Sequence, residues 1–317
     1  RIGDLVRIGD GTLDWVDSRV SGALTLVGDP AAFDGEFALD FRDVDLLGEA
    51  FPAGSATGWW DARDVRIDRL QLARWNGAES VLVQGSVTRD WDSNLAVAAT
   101  GFDLGRLRWV ESLDIPAQGT LSLDAVLRGS LFEPKPKGRV ALRDTTFAGQ
   151  RVPDSTVSFE QQGPVIALNG ALVGNSVTFE GSVDPNAEQL FAVDAELKSF
   201  PLHSVFPIAA DGAAVRSMLT GSLEVVGDRA GSGVVYGIRG SGQSLSVEWD
   251  RHRLASAGPW QFESSGQSMS LKGFRMLGPG TDVFWNVESD AMGHLNGEGG
   301  GVVDADFEEV DDNKKDK

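Results

Sequence analysis

Hydrophobic and polar positions alternate along almost the whole chain, which puts apolar side chains on one face of an extended strand and polar ones on the other. The alternation runs through Leu24 and Leu26, then Phe37, Leu39 and Phe41, then Val65 and Ile67, then Val81 and Val83. It continues through Leu121 and Leu123, Val140 and Leu142, Val157 and Phe159, Ile166 and Leu168, Val177 and Phe179, and Phe191, Val193, Ala195 and Leu197. In the last third come Leu223 and Val225, then Leu245, Val247 and Trp249, then Trp260 and Phe262, Met269 and Leu271, and Val283, Trp285 and Val287. Turn-forming Gly, Pro, Asn and Asp separate these runs every 8 to 12 residues or so, and the pattern predicts about 18 to 20 strands. Helical spacing is confined to Gly105 to Leu113 and Ala209 to Leu219, which are predicted as two short helices. From Gly293 the character changes: Gly299, Gly300 and Gly301 are followed by six acids between Asp304 and Asp312 and a lysine-rich end. Residues 291–317 are therefore expected to be a solvated tail or linker.

The runs repeat at an interval of about 100 residues. Gly22-Ala-Leu24-Thr-Leu26 returns 97 residues later as Gly119-Thr-Leu121-Ser-Leu123, and again 102 residues further on as Gly221-Ser-Leu223-Glu-Val225. Val81-Leu-Val83-Gln-Gly85 returns after 96 residues as Val177-Thr-Phe179-Glu-Gly181, and Phe102-Asp-Leu104 after 98 as Phe200-Pro-Leu202. Trp260 and Phe262 stand 103 residues after Val157 and Phe159. The spacing predicts three units of about six strands each, near 18–111, 112–206 and 207–290, with residues 1–17 the end of a preceding repeat.

A sheet that is apolar on one face must cover that face, and the sequence offers no helical layer to do so. The expected fold class is therefore all-β, an elongated curled antiparallel sheet. Its apolar faces either meet in a dry sandwich or solenoid core, or curve into a trough too wide for side chains to fill. Both arrangements demand the same alternation.

Composition narrows the function classes. With 39 glycines, three histidines, one tyrosine and no cysteine among 317 residues, the chain is rich in turns and poor in reactive groups, and disulfides and thiolate metal sites are excluded. The net charge of −19 repels phosphate backbones, and no basic cluster with interleaved aromatics offsets it, so nucleic acid is discarded as a partner. No run approaches the roughly 20 apolar residues of a spanning helix, and the start at Arg1 is expected of a processed form or a piece of something longer.

Candidate chemistry is sparse. His203, His252 and His294 fall in no metal-ligand spacing, and Ser264, Ser265 and Ser268 lie in turn-like contexts without a nucleophile elbow. Carboxylate pairs such as Asp43 with Asp45 and Asp61 with Asp64 are read as solvated faces, and Gly299 to Asp306 lacks the spacing of calcium-binding repeats. The reading is of a non-enzyme with no cofactor and no metal.

The run Gly119-Thr-Leu-Ser-Leu-Asp-Ala-Val-Leu-Arg-Gly129-Ser-Leu131-Phe-Glu-Pro134, continued by Lys137-Gly-Arg-Val-Ala-Leu142, resembles the repeating module of TamB-like proteins of the AsmA-like superfamily. So do Leu245 through Leu254, Gly258-Pro259-Trp260, Met269-Ser-Leu271 and Gly280-Thr-Asp-Val283, and the resemblance covers about residues 18–290. It implies a β-taco in the periplasm of a diderm bacterium, anchored in the inner membrane, whose groove carries phospholipid acyl chains toward the outer membrane. It further implies an Omp85-type outer-membrane barrel partner and support of outer-membrane protein assembly, including autotransporters. The anchoring helix and the family's C-terminal domain are missing, so the chain is expected to be an internal segment. The groove-lining residues would be the alternating residues given above from Leu24 to Trp285, without Val65, Ile67, Val81, Val83, Phe191, Val193, Ala195 and Leu197. Two other readings stand beside this one: a dry-core β-solenoid stalk with structural or adhesive duty, and a polysaccharide-active β-helix enzyme.

Overall fold

A computed structural model describes residues 16–20, 34–46, 48–111, 117–147, 150–204, 209–210, 213–230, 233–265, 268–289 and 295–303. The fold is all-β and antiparallel, and among these residues no helix exceeds a single turn. The chain divides into two compact units, Arg1–Val193 and Asp194–Lys317.

The first unit is a meander of β1 (Val16–Val20), β2 (Gly35–Leu46), β3 (Glu49–Trp60), β4 (Asp64–Arg74), β5 (Glu79–Thr88) and β6 (Asp92–Asp103). It continues through β7 (Ala117–Ser130), β8 (Lys135–Phe147), β9 (Gln150–Val152), β10 (Ser155–Gln162), β11 (Val165–Leu172) and β12 (Val177–Val183). Each strand pairs antiparallel with the next, except that β9 and β10 share the edge of β8 end to end. The break between those two falls at Pro153, which has no N–H to give to a ladder. At a strand spacing near 4.8 Å the sheet of this unit is about 50 Å broad.

Its register carries the sequence pattern across the sheet. One row runs Phe41, Gly54, Leu72, Val81, Ala99, Leu123, Val140, Val157, Gly170 and Phe179 from β2 to β12. The next runs Leu39, Ala56, Leu70, Val83, Val97, Ala125, Gly138, Phe159, Leu168 and Gly181. A one-residue slip anywhere would turn that strand's apolar side outward, so the continuous rows lock the register.

In the second unit, β13 (Gln189–Pro201), within which the division falls, is followed by β14 (Ala209–Ala210), β15 (Ala213–Ala214), β16 (Arg216–Ala230) and β17 (Gly233–Trp249). After these come β18 (His252–Ser256), β19 (Trp260–Ser265), β20 (Ser268–Gly278), β21 (Thr281–Ser289) and β22 (Leu295–Val303). β17 pairs with β16 on one edge and with β18 and β19 in succession on the other. β20 then pairs with both of these and leads to β21 and β22. Here the row Leu223, Gly240, Phe262, Leu271, Val287, Gly297 repeats the construction.

Three expectations are corrected. Ala209 to Leu219 is not helical: Ala209 and Ala210 pair with Ala214 and Ala213, and Val215, Ser217 and Leu219 turn inward as part of a strand pattern. Small alanines satisfy a helical spacing without enforcing it, and pairing wins. Gly105 to Leu113 reduces to a 3₁₀ turn at Leu104–Arg106 and one helical turn at Arg108–Glu111, with Leu107 between them and Ser112 and Leu113 outside the described residues. The stretch expected as a tail from 291 holds β22, paired with β21 from Thr281↔Val303 to Ser289↔Leu295.

Bulges explain where the alternation slips. Asp43 and Asp144 adopt φ of 54° and 50°, and Gly101 and Ser199 adopt 77° and 49°. At Asp43 the inward positions change from Phe41 to Val44, and the pairing of β1 with β2 shifts at the same place. Asp43 and Asp144 lie 101 residues apart and Gly101 and Ser199 lie 98 apart, so these kinks keep the spacing of the sequence repeat. Phe102 and Phe200, 98 residues apart, are both buried and both lead into a 3₁₀ turn.

Candidate functional site

The apolar face gathers the predicted lining residues within each unit. In the first unit Phe37, Leu39, Phe41, Leu121, Leu123, Val140, Leu142, Val157, Phe159, Ile166, Leu168, Val177 and Phe179 share one face by register. In the second, Leu223, Val225, Leu245, Val247, Trp249, Trp260, Phe262, Met269, Leu271, Val283 and Trp285 do the same. Leu24 and Leu26 lie outside the described residues. None of the others is buried: they are half exposed, and Met269 and Trp285 reach 41% and 43%. Residues of this kind inside a dry core are ordinarily closed from solvent on all sides.

Rings on this face lie down rather than stand up. Phe37 faces Gly58, Trp60 faces Gly35, Phe159 faces Gly138, Phe179 faces Gly170 and Trp260 faces Gly242, each as a direct cross-strand pair. A Cβ on Gly138 would stand 2.7 Å from Phe159 Cζ, and one on Gly170 would stand 2.7 Å from Phe179 Cε1. A glycine opposite each ring gives it a seat against the backbone. In the second unit Trp260, Phe274 and Trp285 form a row with ring centroids 5.3 and 5.6 Å apart. Trp260 and Phe274 meet edge to face and Phe274 and Trp285 are stacked, so the rings and aliphatic side chains form an apolar surface that remains accessible along each unit's sheet.

Sequence reasoning missed Phe274 and Met276, which join this face because the register shifts between Leu271 and Phe274, beside Gly273 at φ 70°. It also missed a closed cluster among the described residues. Val44, Phe51, Leu72, Val81, Ala99 and Phe102 pack with Leu104, Leu107, Val110 and Ala117, so the segment after β6 covers one stretch of the face. Arg74, 8% exposed, lies over the neighbouring rings of Phe51 and Phe102, with Cζ 5.6 and 4.9 Å from their centroids. Its Nε donates to Glu79 and its Nη1 to Glu49 Oε2 at 2.6 Å. Burial works against the charge of Arg74, but the hydrogen bonds and charges of Glu49 and Glu79 outweigh it and hold its pKa above the ordinary arginine value.

Several of the residues weighed for chemistry make local structural contacts. His203 Nδ1 lies 3.1 Å from the backbone N of Ser217, His252 stacks on Trp249 and His294 lies outside the described residues. Ser265 and Ser268 hydrogen-bond each other across a turn at 2.8 Å. Asp45 Oδ1 accepts the Gly48 N–H at 2.8 Å, and Asp61 accepts those of Arg63 and Asp64 at 2.7 and 2.8 Å. Those two amides hold the Asp61 carboxyl below the usual aspartate range. Among the described residues no group of three or more acids and histidines is placed to hold a metal, and no helix is long and apolar enough to cross a membrane.

Comparison of the chain with family models, with characterised proteins and with solved structures finds no match.

Proposed function

We propose that this chain is a segment of a lipid conduit, in which the accessible apolar face holds acyl chains and lets them slide along the sheet. The observation that carries the reading is the half-exposed state of the inward residues, from Phe37 and Leu39 to Met269 and Trp285, in rows that run from strand to strand. Contiguous apolar surface of this kind marks a site of interaction with another apolar body. Each methylene removed from water stabilises the bound state by about 0.8 kcal/mol, and many similar positions in a row create no deep trap.

The resemblance of residues 18–290 to TamB-like modules extends the proposal. The cargo would be phospholipid moving between the inner and outer membranes of a diderm bacterium, in support of outer-membrane protein assembly with an Omp85-type barrel partner. The mechanism is passive and involves no covalent step.

The test is native mass spectrometry with lipid extraction on the full chain purified from bacterial membranes. Bound phospholipid, reduced in a folded Phe179→Asp variant, is the expected result. A folded and lipid-free protein in every preparation would favour the dry-core stalk instead.

A further inference from the structure

We infer that residues 104–111 are a releasable cover, latched over part of the apolar face by Arg74, Glu49 and Glu79, and that opening the latch exposes further binding surface. This rests on the reading of that face as a surface for apolar cargo. Leu104, Leu107 and Val110 lie on the rows of β2 to β7 and bury Phe51, Leu72 and Val81, which belong to the same face as the accessible residues. Away from the segment the large residues of these rows are half exposed, among them Phe37, Leu127, Phe159 and Ile166, with few exceptions such as Leu95. The segment thus occupies the position that cargo takes elsewhere on the sheet.

Beside this apolar packing its attachment has a polar part. The Asp103 N–H donates to Glu79 Oε1 at 3.0 Å and the Arg108 N–H donates to Glu49 Oε1 at 2.9 Å, one at the start of the segment and one within its helical turn. The second oxygen of each carboxylate accepts from the same guanidinium. Arg74 therefore governs both points of attachment, and its Nη2 is closed from solvent without a hydrogen-bond partner. Glu79 is 1% exposed, so the latch is a buried ionic cluster where apolar packing would hold a fixed cap at least as well. Leu104, Leu107 and Val110 add apolar packing to this attachment, so weakening the charged hydrogen bonds lowers the cost of releasing the segment as one element without removing it.

Hydrogen exchange and uptake of a fluorescent fatty acid by the full chain test the inference together. Glu49→Gln keeps the shape of the latch and weakens it, and Arg74→Lys keeps the charge but loses the fork, so at least one is expected to fold. In the folded variant the amides of 104–111 should exchange at least tenfold faster while those of β5 and β8 keep their rates, and fatty-acid uptake should rise severalfold. Exchange of 104–111 as slow as that of β5 in the parent and in both variants would overturn the inference, because the segment would then be fixed core. Faster exchange with equal uptake by parent and variants would overturn the cover alone, whereas no uptake by any form would remove the binding surface itself.

Discussion

Phe159 lies across Gly138 on the neighbouring strand, so near that an added Cβ would stand 2.7 Å from the ring's Cζ. The same position would also bring that Cβ to 2.5 Å from the backbone oxygen of Asp124 and 2.8 Å from the Ala125 Cβ. A ring can swing away, but a paired strand cannot. Gly138→Ala is therefore expected to cost about 2–3 kcal/mol, the upper part of the range of an overpacked interior. Gly240 provides the control, since the nearest atoms to its Cβ are 3.4 Å away, and Gly240→Ala should shift stability by less than about 1 kcal/mol. Urea denaturation of the two variants checks the difference.

The Arg74 cluster makes a second prediction. Arg74→Met leaves the Glu79 carboxylate, with its side chain 2% exposed, without its cation, and should destabilise the first unit by about 3–5 kcal/mol. Adding Glu79→Gln should recover a large part of that loss, because the stranded charge is then gone. Equal stability of the single and double variants would show that the charge is not what matters there.

Between β20 and β21, Arg275 donates from Nε to Asp282 Oδ1 at 2.8 Å and from Nη2 to the other carboxylate oxygen. The hydrogen bonds to Arg275 hold the Asp282 carboxyl below its ordinary value of 3.8. Because the folded value is the lower one, the stabilisation is fully present above 3.8 and is lost as pH falls through the folded value. Carboxyl titration by NMR should show Asp282 protonating late, and Arg275→Gln should return it to the ordinary range.

Much of this fold is legible in the residues themselves. Alternation in Phe37, Leu39 and Phe41 or in Val157 and Phe159 fixes the strands and their inward faces, whereas the kinks at Asp43 and Asp144, though 101 residues apart, fall at residues that the glycine pattern does not mark. What escapes is long-range or depends on single backbone angles. Phe274 was hidden because a bulge beside Gly273 changes which residues point inward, and periodicity cannot register one extra residue. Glu49 and Arg74 stand 25 residues apart, and only the pairing of β3 with β4 brings their ends together. The covering turn at 104–111 carried a helical signal, but its role follows from the carboxylates that hold it, which no local pattern announces.

Quenching of tryptophan fluorescence by a fatty acid brominated near its chain end tests most directly whether the apolar face receives acyl chains. Trp285 lies on that face and is 43% exposed, whereas Trp75, 58% exposed, sits in the turn between β4 and β5. The expected result is saturable quenching that falls in Trp285→Phe and persists in Trp75→Phe. Saturable quenching that is unchanged by Trp285→Phe, or no quenching of the folded chain at all, would contradict the conduit.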